Sequence, residues 1–155
     1  MLTLKTFITE KSRATLYHGT SAENVAAIIK NKKIDPSEHG HTSTTRDKKY
    51  AAAHDIGWDA HFHINHDTLK HHRKVQPTDF HMGGSIGKKD HSRHDHDMRD
   101  PDFKRSESEE SVKGSIPTKH ITHISIHKSV DSNTKNKITK AVTTHAPHIK
   151  VKTYG

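Results

Sequence analysis

Between residues 76 and 105 no apolar residue recurs at helical or strand spacing. The stretch holds Gly83, Gly84, Gly87, Lys88 and Lys89, then His91, Arg93, His94, Asp95, His96 and Asp97. A segment this long without regular structure is uncommon inside a compact domain, where it serves function or stays disordered. It is predicted to be one long mobile loop. Any core must then be assembled from the two flanking segments, and both are thinly stocked. Leu, Ile, Val and Phe number 4, 13, 6 and 4, only 17% of the 155 residues. That is below the roughly 20% at which disorder becomes an option. The second condition for disorder, a high net charge, is not met by +8 over this length. A small core with long polar connections is expected.

Several elements can be read from spacing alone. Residues 15–17 suggest a strand entering a turn at His18, Gly19 and Thr20. Ser21 can cap a helix carrying Val25, Ile28 and Ile29. A second short helix is expected from Arg46 to about His54, capped by Thr44 or Thr45. Ala60, Phe62 and Ile64 alternate with His61, His63 and Asn65, the pattern of a half-buried strand. Leu69 suggests one helical turn. Beyond the loop, Val112, Gly114 and Ile116 suggest one strand, and Ile121, Ile124 and Ile126 the next. Asp131 can cap a helix bearing Ile138, Ala141 and Val142, which Pro147 ends before a last strand with Ile149 and Val151. The series describes an α+β domain with mainly antiparallel strands and no βαβ rhythm.

Some function classes fall away at once. No apolar run reaches 18 residues, so no helical membrane span is expected. The first ten residues have no long apolar stretch of the signal-peptide kind. Cysteine is absent, which excludes disulfides, thiolate nucleophiles and cysteine zinc sites. Histidine is abundant, with 18 residues whose protonation would carry the net charge from +8 towards +26. Such a chain is a pH-dependent polycation suited to nucleic acid or acidic surfaces. His71, His72, His91, His94 and His96 offer imidazoles for Zn, Ni or Cu. A functional site needs fixed geometry, so no metal is assigned.

Three segments point to a specific chemistry when taken in order. The first is Leu16, Tyr17, His18, Gly19, Thr20 and Ser21, a strand end before a helix. The second is His41, Thr42, Ser43, Thr44, Thr45 and Arg46, followed by Tyr50. The third is the acidic run Glu107, Glu109 and Glu110 leading into Val112. Together they resemble the ADP-ribosyltransferase superfamily over roughly residues 15–128.

The resemblance implies an ADP-ribosyltransferase-like split antiparallel β-sandwich with a few short helices and a long loop. It implies NAD as substrate, with ADP-ribose passed to a macromolecule such as a host protein. His18 would bind the nicotinamide-side ribose and share in catalysis. Gly19 would bring its backbone to the nicotinamide carboxamide, and Thr20 would support the turn. Thr42, Ser43 and Thr44 look like the Ser/Thr strand that braces the family's site. Tyr50 would stack on nicotinamide. Glu109 or Glu110 would be the catalytic carboxylate: the first completes a Glu-x-Glu pattern with Glu107, the second shares a strand face with Val112. Where one branch of the family carries a Tyr, this chain has His41 or Thr42.

The N-terminus adds a second resemblance. Leu4, Phe7, Ile8, Thr9 and Glu10 resemble the capsid-targeting leader of head-internal proteins in tailed phages. That implies a leader at 1–10, followed by the single, toxin-like ADP-ribosyltransferase-like domain at 11–155 with its loop at 76–105, and a path from phage head to host cytoplasm. Two other functions fit parts of the pattern: an RNA 2′-phosphotransferase-like enzyme, which relies on basic residues where this chain has its acidic run, and a non-catalytic histidine-rich protein binding nucleic acid or metal.

Overall fold

A computed structural model describes residues 15–46, 48–52, 57–77 and 109–155. The leader at 1–10, and the loop from residue 78 onward with its histidines, lie outside the described residues.

The chain starts with β1 (Thr15–Thr20) and α1 (Ala22–Asn31), then β2 (Lys33–Ile34) and β3 (His41–Thr45). A single turn, α2 (Lys48–Ala51), precedes β4 (Ala60–Asn65), α3 (His66–Leu69) and β5 (Val75–Pro77). The second half holds β6 (Glu109–Lys113), β7 (Ile116–Pro117), β8 (Ile121–His127), α4 (Ser132–His145) and β9 (Lys150–Tyr154). Seven strands form one sheet in the order β5-β6-β3-β1-β4-β8-β9, and β2 and β7 form a separate pair.

Strand alternation decides which face is dry. Ala60, Phe62 and Ile64 of β4 are fully buried, as are Leu16 of β1 and Ile124 of β8. They pair across the ladders, Leu16 with Ile64 and Phe62 with both His18 and Ile124, so they share one face. Helices α1 and α4 close that face with Val25, Ile29, Ile138 and Val142. Burying a side chain of this size contributes about 1.5–3 kcal/mol. In α4 the cap expected at Asp131 forms: its Oδ1 accepts from Thr134 N at 2.7 Å. Ser21 precedes α1 as expected, but its side chain makes no capping bond. The N–H of Ala22 donates instead to Asp59 Oδ1.

Four sequence expectations are corrected. Thr44 and Thr45 belong to β3, which runs through Thr45, and α2 begins only at Lys48, so neither stands directly before the helix. Val112 and Ile116 do not share a strand. Gly114, at φ +87, turns the chain between β6 and β7, a conformation that favours glycine. The region from 76 is not wholly irregular at its start, since β5 pairs with β6, Val75 opposite Val112. Finally, β9 runs parallel to β8, because α4 carries the chain back across the sheet and so makes one βαβ unit.

One feature of the large sheet positions the site. β1 pairs with β4 along its whole length, from Thr15 to Thr20. It pairs with β3 at a single position, Tyr17 opposite Thr45. Beyond Tyr17 the two strands part, and the sheet splits into β5-β6-β3 and β1-β4-β8-β9.

Candidate active site

The cleft lies where β1 and β3 separate. Tyr17 stands opposite Thr45, and Thr44 opposite Glu110, so His18, Thr44 and Glu110 lie on one face at one level. Glu109 takes the alternate position opposite Thr45. Of the two acidic candidates, Glu110 is the one that shares a face with His18.

His18 bridges the gap: its Nδ1 lies 2.7 Å from the Ser43 carbonyl oxygen. A carbonyl only accepts, so Nδ1 carries the proton. Burial lowers the His18 pKa, against an opposing pull from the bond to Ser43. The ring is therefore neutral near pH 7, with Nε2 left as an acceptor suited to a hydroxyl group. Its plane stacks on Phe62 at 6.3 Å, which fixes the ring.

The Ser/Thr strand braces this arrangement through its hydroxyls. Thr44 Oγ1 donates to the Glu110 carbonyl at 2.8 Å, and Thr42 Oγ1 to the Gly114 carbonyl at 2.7 Å. Both bonds tie β3 to the chain that carries Glu110. The Ser43 side chain is exposed, and Thr20 is buried at the end of β1. Tyr50 belongs to α2, but its side chain lies outside the described residues.

Gly19 is required by its surroundings. A Cβ there would stand 2.5 Å from the Trp58 ring and 2.8 Å from the Ala51 carbonyl oxygen. The indole therefore lies against the Gly19 backbone, on the face of β1 opposite His18.

Sequence reasoning missed three residues here. Arg46 Nε lies 2.9 Å from Glu110 Oε1, and the carboxylate side chain is only 7% exposed. Arg46 Nη2 also approaches His66 Nδ1 at 3.4 Å. Burial, then Arg46 itself, lowers the His66 pKa. An unprotonated His66 can accept from the guanidinium. Arg46 reads in sequence as the start of a helix, and His66 as one histidine among 18. Trp58 had a signal, being the sole tryptophan and close to the strand that pairs with β1.

Among the described residues no three His, Asp or Glu side chains converge as a metal site. No described helix is long and apolar enough to cross a membrane.

The sequence matches no protein-family model and no curated protein. Its fold does have solved counterparts. The chain superposes on Thermus sp. 2.9 DarT in complex with ADP-ribosylated ssDNA with a TM-score of 0.62 and 12% identity, over 92% of this chain and 94% of that one. The same protein in complex with carba-NAD+ gives 0.57 and 12%, over 92% and 96%. Its complex with NAD+ gives 0.56 and 11%, over 90% and 96%. The fold is that of DarT. The expected ADP-ribosyltransferase-like architecture is thereby established.

Proposed function

We propose that the chain is an NAD-dependent ADP-ribosyltransferase. The observation that carries this reading is the convergence of His18, Gly19, Arg46 and Glu110 where β1 and β3 part. The fold supports it, since its solved counterparts include complexes with NAD+ and carba-NAD+.

The residues fit that substrate. His18 Nε2 accepts from a ribose hydroxyl, and the backbone of Gly19 next to it meets the nicotinamide carboxamide, with Trp58 packed behind that backbone. Glu110 stands where positive charge develops at C1′ as the bond to nicotinamide breaks. The bonding pair leaves with nicotinamide, the acceptor donates a pair to C1′, and the acceptor releases its proton. A carboxylate that meets charge present only in the transition state raises rate rather than affinity. Arg46 holds that carboxylate in place, and Thr44 fixes the strand beneath it.

The acceptor is a macromolecule. The sequence resemblance suggested a host protein. A net charge of +8 and a counterpart solved with ADP-ribosylated ssDNA favour nucleic acid instead. Incubation with NAD labelled in its adenosine part, with single-stranded DNA or with cell protein, tests both halves. Label on DNA is the expected result. Label on protein alone moves the acceptor, and no nicotinamide release under either condition refutes the transferase reading.

A further inference from the structure

The face of the sheet opposite α1 and α4 carries a second cluster. His61 and His63 of β4 stack with ring centroids 5.1 Å apart and planes 16° from parallel. His123 of β8, opposite His63 in the ladder, lies 5.4 Å further on. Tyr17 stands edge-on to His63 at 5.0 Å, and Tyr154 edge-on to His61 at 4.9 Å. His61 is fully buried, and neither of its ring nitrogens has a hydrogen-bond partner among the described residues.

Among the described residues the charges acting on the three histidine rings have one sign, while Asp59 acts on Tyr154. Lys48 of α2 acts on His61 and His63, Lys152 of β9 on His63 and His123, and Lys150 on His123. All three lysines are exposed. No carboxylate acts on the three rings among the described residues. Near-parallel rings do not aim their lone pairs at one point, so the cluster is unsuited to a cation. Its unbalanced charge suits an anion. The half-buried rings of Tyr17, His63, His123 and Tyr154 between lysines add surfaces on which bases can stack. The patch backs onto the cleft from the opposite face of the sheet: His61 pairs with Gly19, one residue on from His18, across the β1–β4 ladder, and the Tyr154 hydroxyl reaches the Trp58 carbonyl at 3.4 Å.

We propose that His63, His123, Lys48 and Lys152 form a phosphate-binding site for the backbone of a single-stranded nucleic acid, on the face of the sheet behind the cleft. The site rests on the transferase reading for its purpose, but not for its existence. An acidic peptide would satisfy the lysines and leave the rings without stacking partners. Burial, and after it neighbouring cations, hold His61 at a pKa of about 4 and His63 at about 3, so both are neutral between pH 6 and pH 8. The attraction for phosphate in that range therefore comes from the lysines, and binding changes little with pH there.

The test is anisotropy of a labelled single-stranded oligonucleotide of mixed sequence, without NAD, at pH 8 and pH 6 and over a salt series. Binding is expected to weaken steeply with salt and to differ little between pH 6 and pH 8. Lys152→Gln is expected to lower affinity by about tenfold and to flatten the salt slope by about one. His123→Gln is expected to weaken binding by about threefold at both pH values. Wild-type affinity in both variants overturns the proposal. So does equal competition by an acidic peptide of the same charge. If ADP-ribose displaces the oligonucleotide, or if the variants weaken NAD binding as much, the phosphate held here is that of NAD, and the proposal fails. Nicotinamide release, measured on the same preparations, keeps the two claims apart. Oligonucleotide binding without release upholds this site and refutes the transferase reading, and release without binding does the reverse.

Discussion

Arg46 and Glu110 form an ion pair at 2.9 Å between the end of β3 and the start of β6. The carboxylate is almost wholly buried, while the Arg46 side chain keeps 32% of its surface. Removing the arginine leaves a buried carboxylate without its cation. Because Arg46 is partly solvated, the loss should lie below the 3–5 kcal/mol of a fully buried pair, at about 1–3 kcal/mol. Arg46→Ala is therefore expected to destabilise the wild-type protein more than it destabilises a Glu110→Gln background. Urea denaturation of the four proteins in that cycle measures the difference. Equal losses in the two backgrounds would show that the pair contributes nothing to stability.

Gly19→Ala places a methyl group 2.5 Å from the Trp58 ring, so the indole must move. Overpacking of this kind costs about 1–3 kcal/mol. Trp58 is also the sole tryptophan, so its emission reports on the contact behind Gly19. The emission maximum is expected to shift in Gly19→Ala. An unshifted spectrum in Gly19→Ala would place the indole elsewhere.

His61 and His63 make the fold sensitive to acid. Their folded pKa values, about 4 and about 3, lie below the 6.5 of an unfolded histidine. Between those limits the unfolded chain binds more protons, so stability is full above about pH 6.5 and falls as pH drops towards 4. Each pH unit in that window removes up to about 1.4 kcal/mol for His61, and less for the half-buried His63. His61→Phe discards two buried unpartnered nitrogens. It is expected to stabilise the protein at pH 7 by about 1–2 kcal/mol and to weaken the acid dependence. Denaturation at pH 7 and pH 5 checks both. A His61→Phe protein less stable than wild type at pH 7 would mean that these nitrogens are satisfied in solution.

Lys32 ends α1 in the left-handed region, with φ 60. Glycine adopts that conformation without a Cβ penalty. Lys32→Gly is expected to raise stability by about 0.5–1 kcal/mol, read as a higher denaturation midpoint. No gain would show that the lysine side chain offsets the backbone cost.

Local patterns make much of the fold legible in the sequence. Asp131 ahead of Ile138 and Val142, with Pro147 beyond, marks α4 because capping and helical spacing act within a few residues. The alternation at 60–65 marks β4 and its dry face for the same reason. The direction of β9 is not legible, since a strand's own residues do not encode the orientation of its neighbour. Nor is β5, a three-residue strand whose partner lies beyond the long loop. The site divides along the same line. His18 and Gly19 announce themselves as a local string. Arg46, Trp58 and His66 enter only through contacts between distant parts of the chain. The choice between Glu109 and Glu110 turns on register, which appears only once β6 is paired with β3.

The most direct measurement of the central claim is nicotinamide release from NAD by wild type, Glu110→Gln and Glu109→Gln, with NAD affinity determined alongside. Gln keeps the size of the side chain and removes its charge. Glu110→Gln is expected to slow release by about 10²–10³-fold with a much smaller change in affinity, because the opposed charge is absent in the ground state. Glu109→Gln, at the alternate strand position, is expected to stay within a few-fold of wild type. Wild-type turnover in Glu110→Gln, or no release by the wild-type protein, would contradict the account.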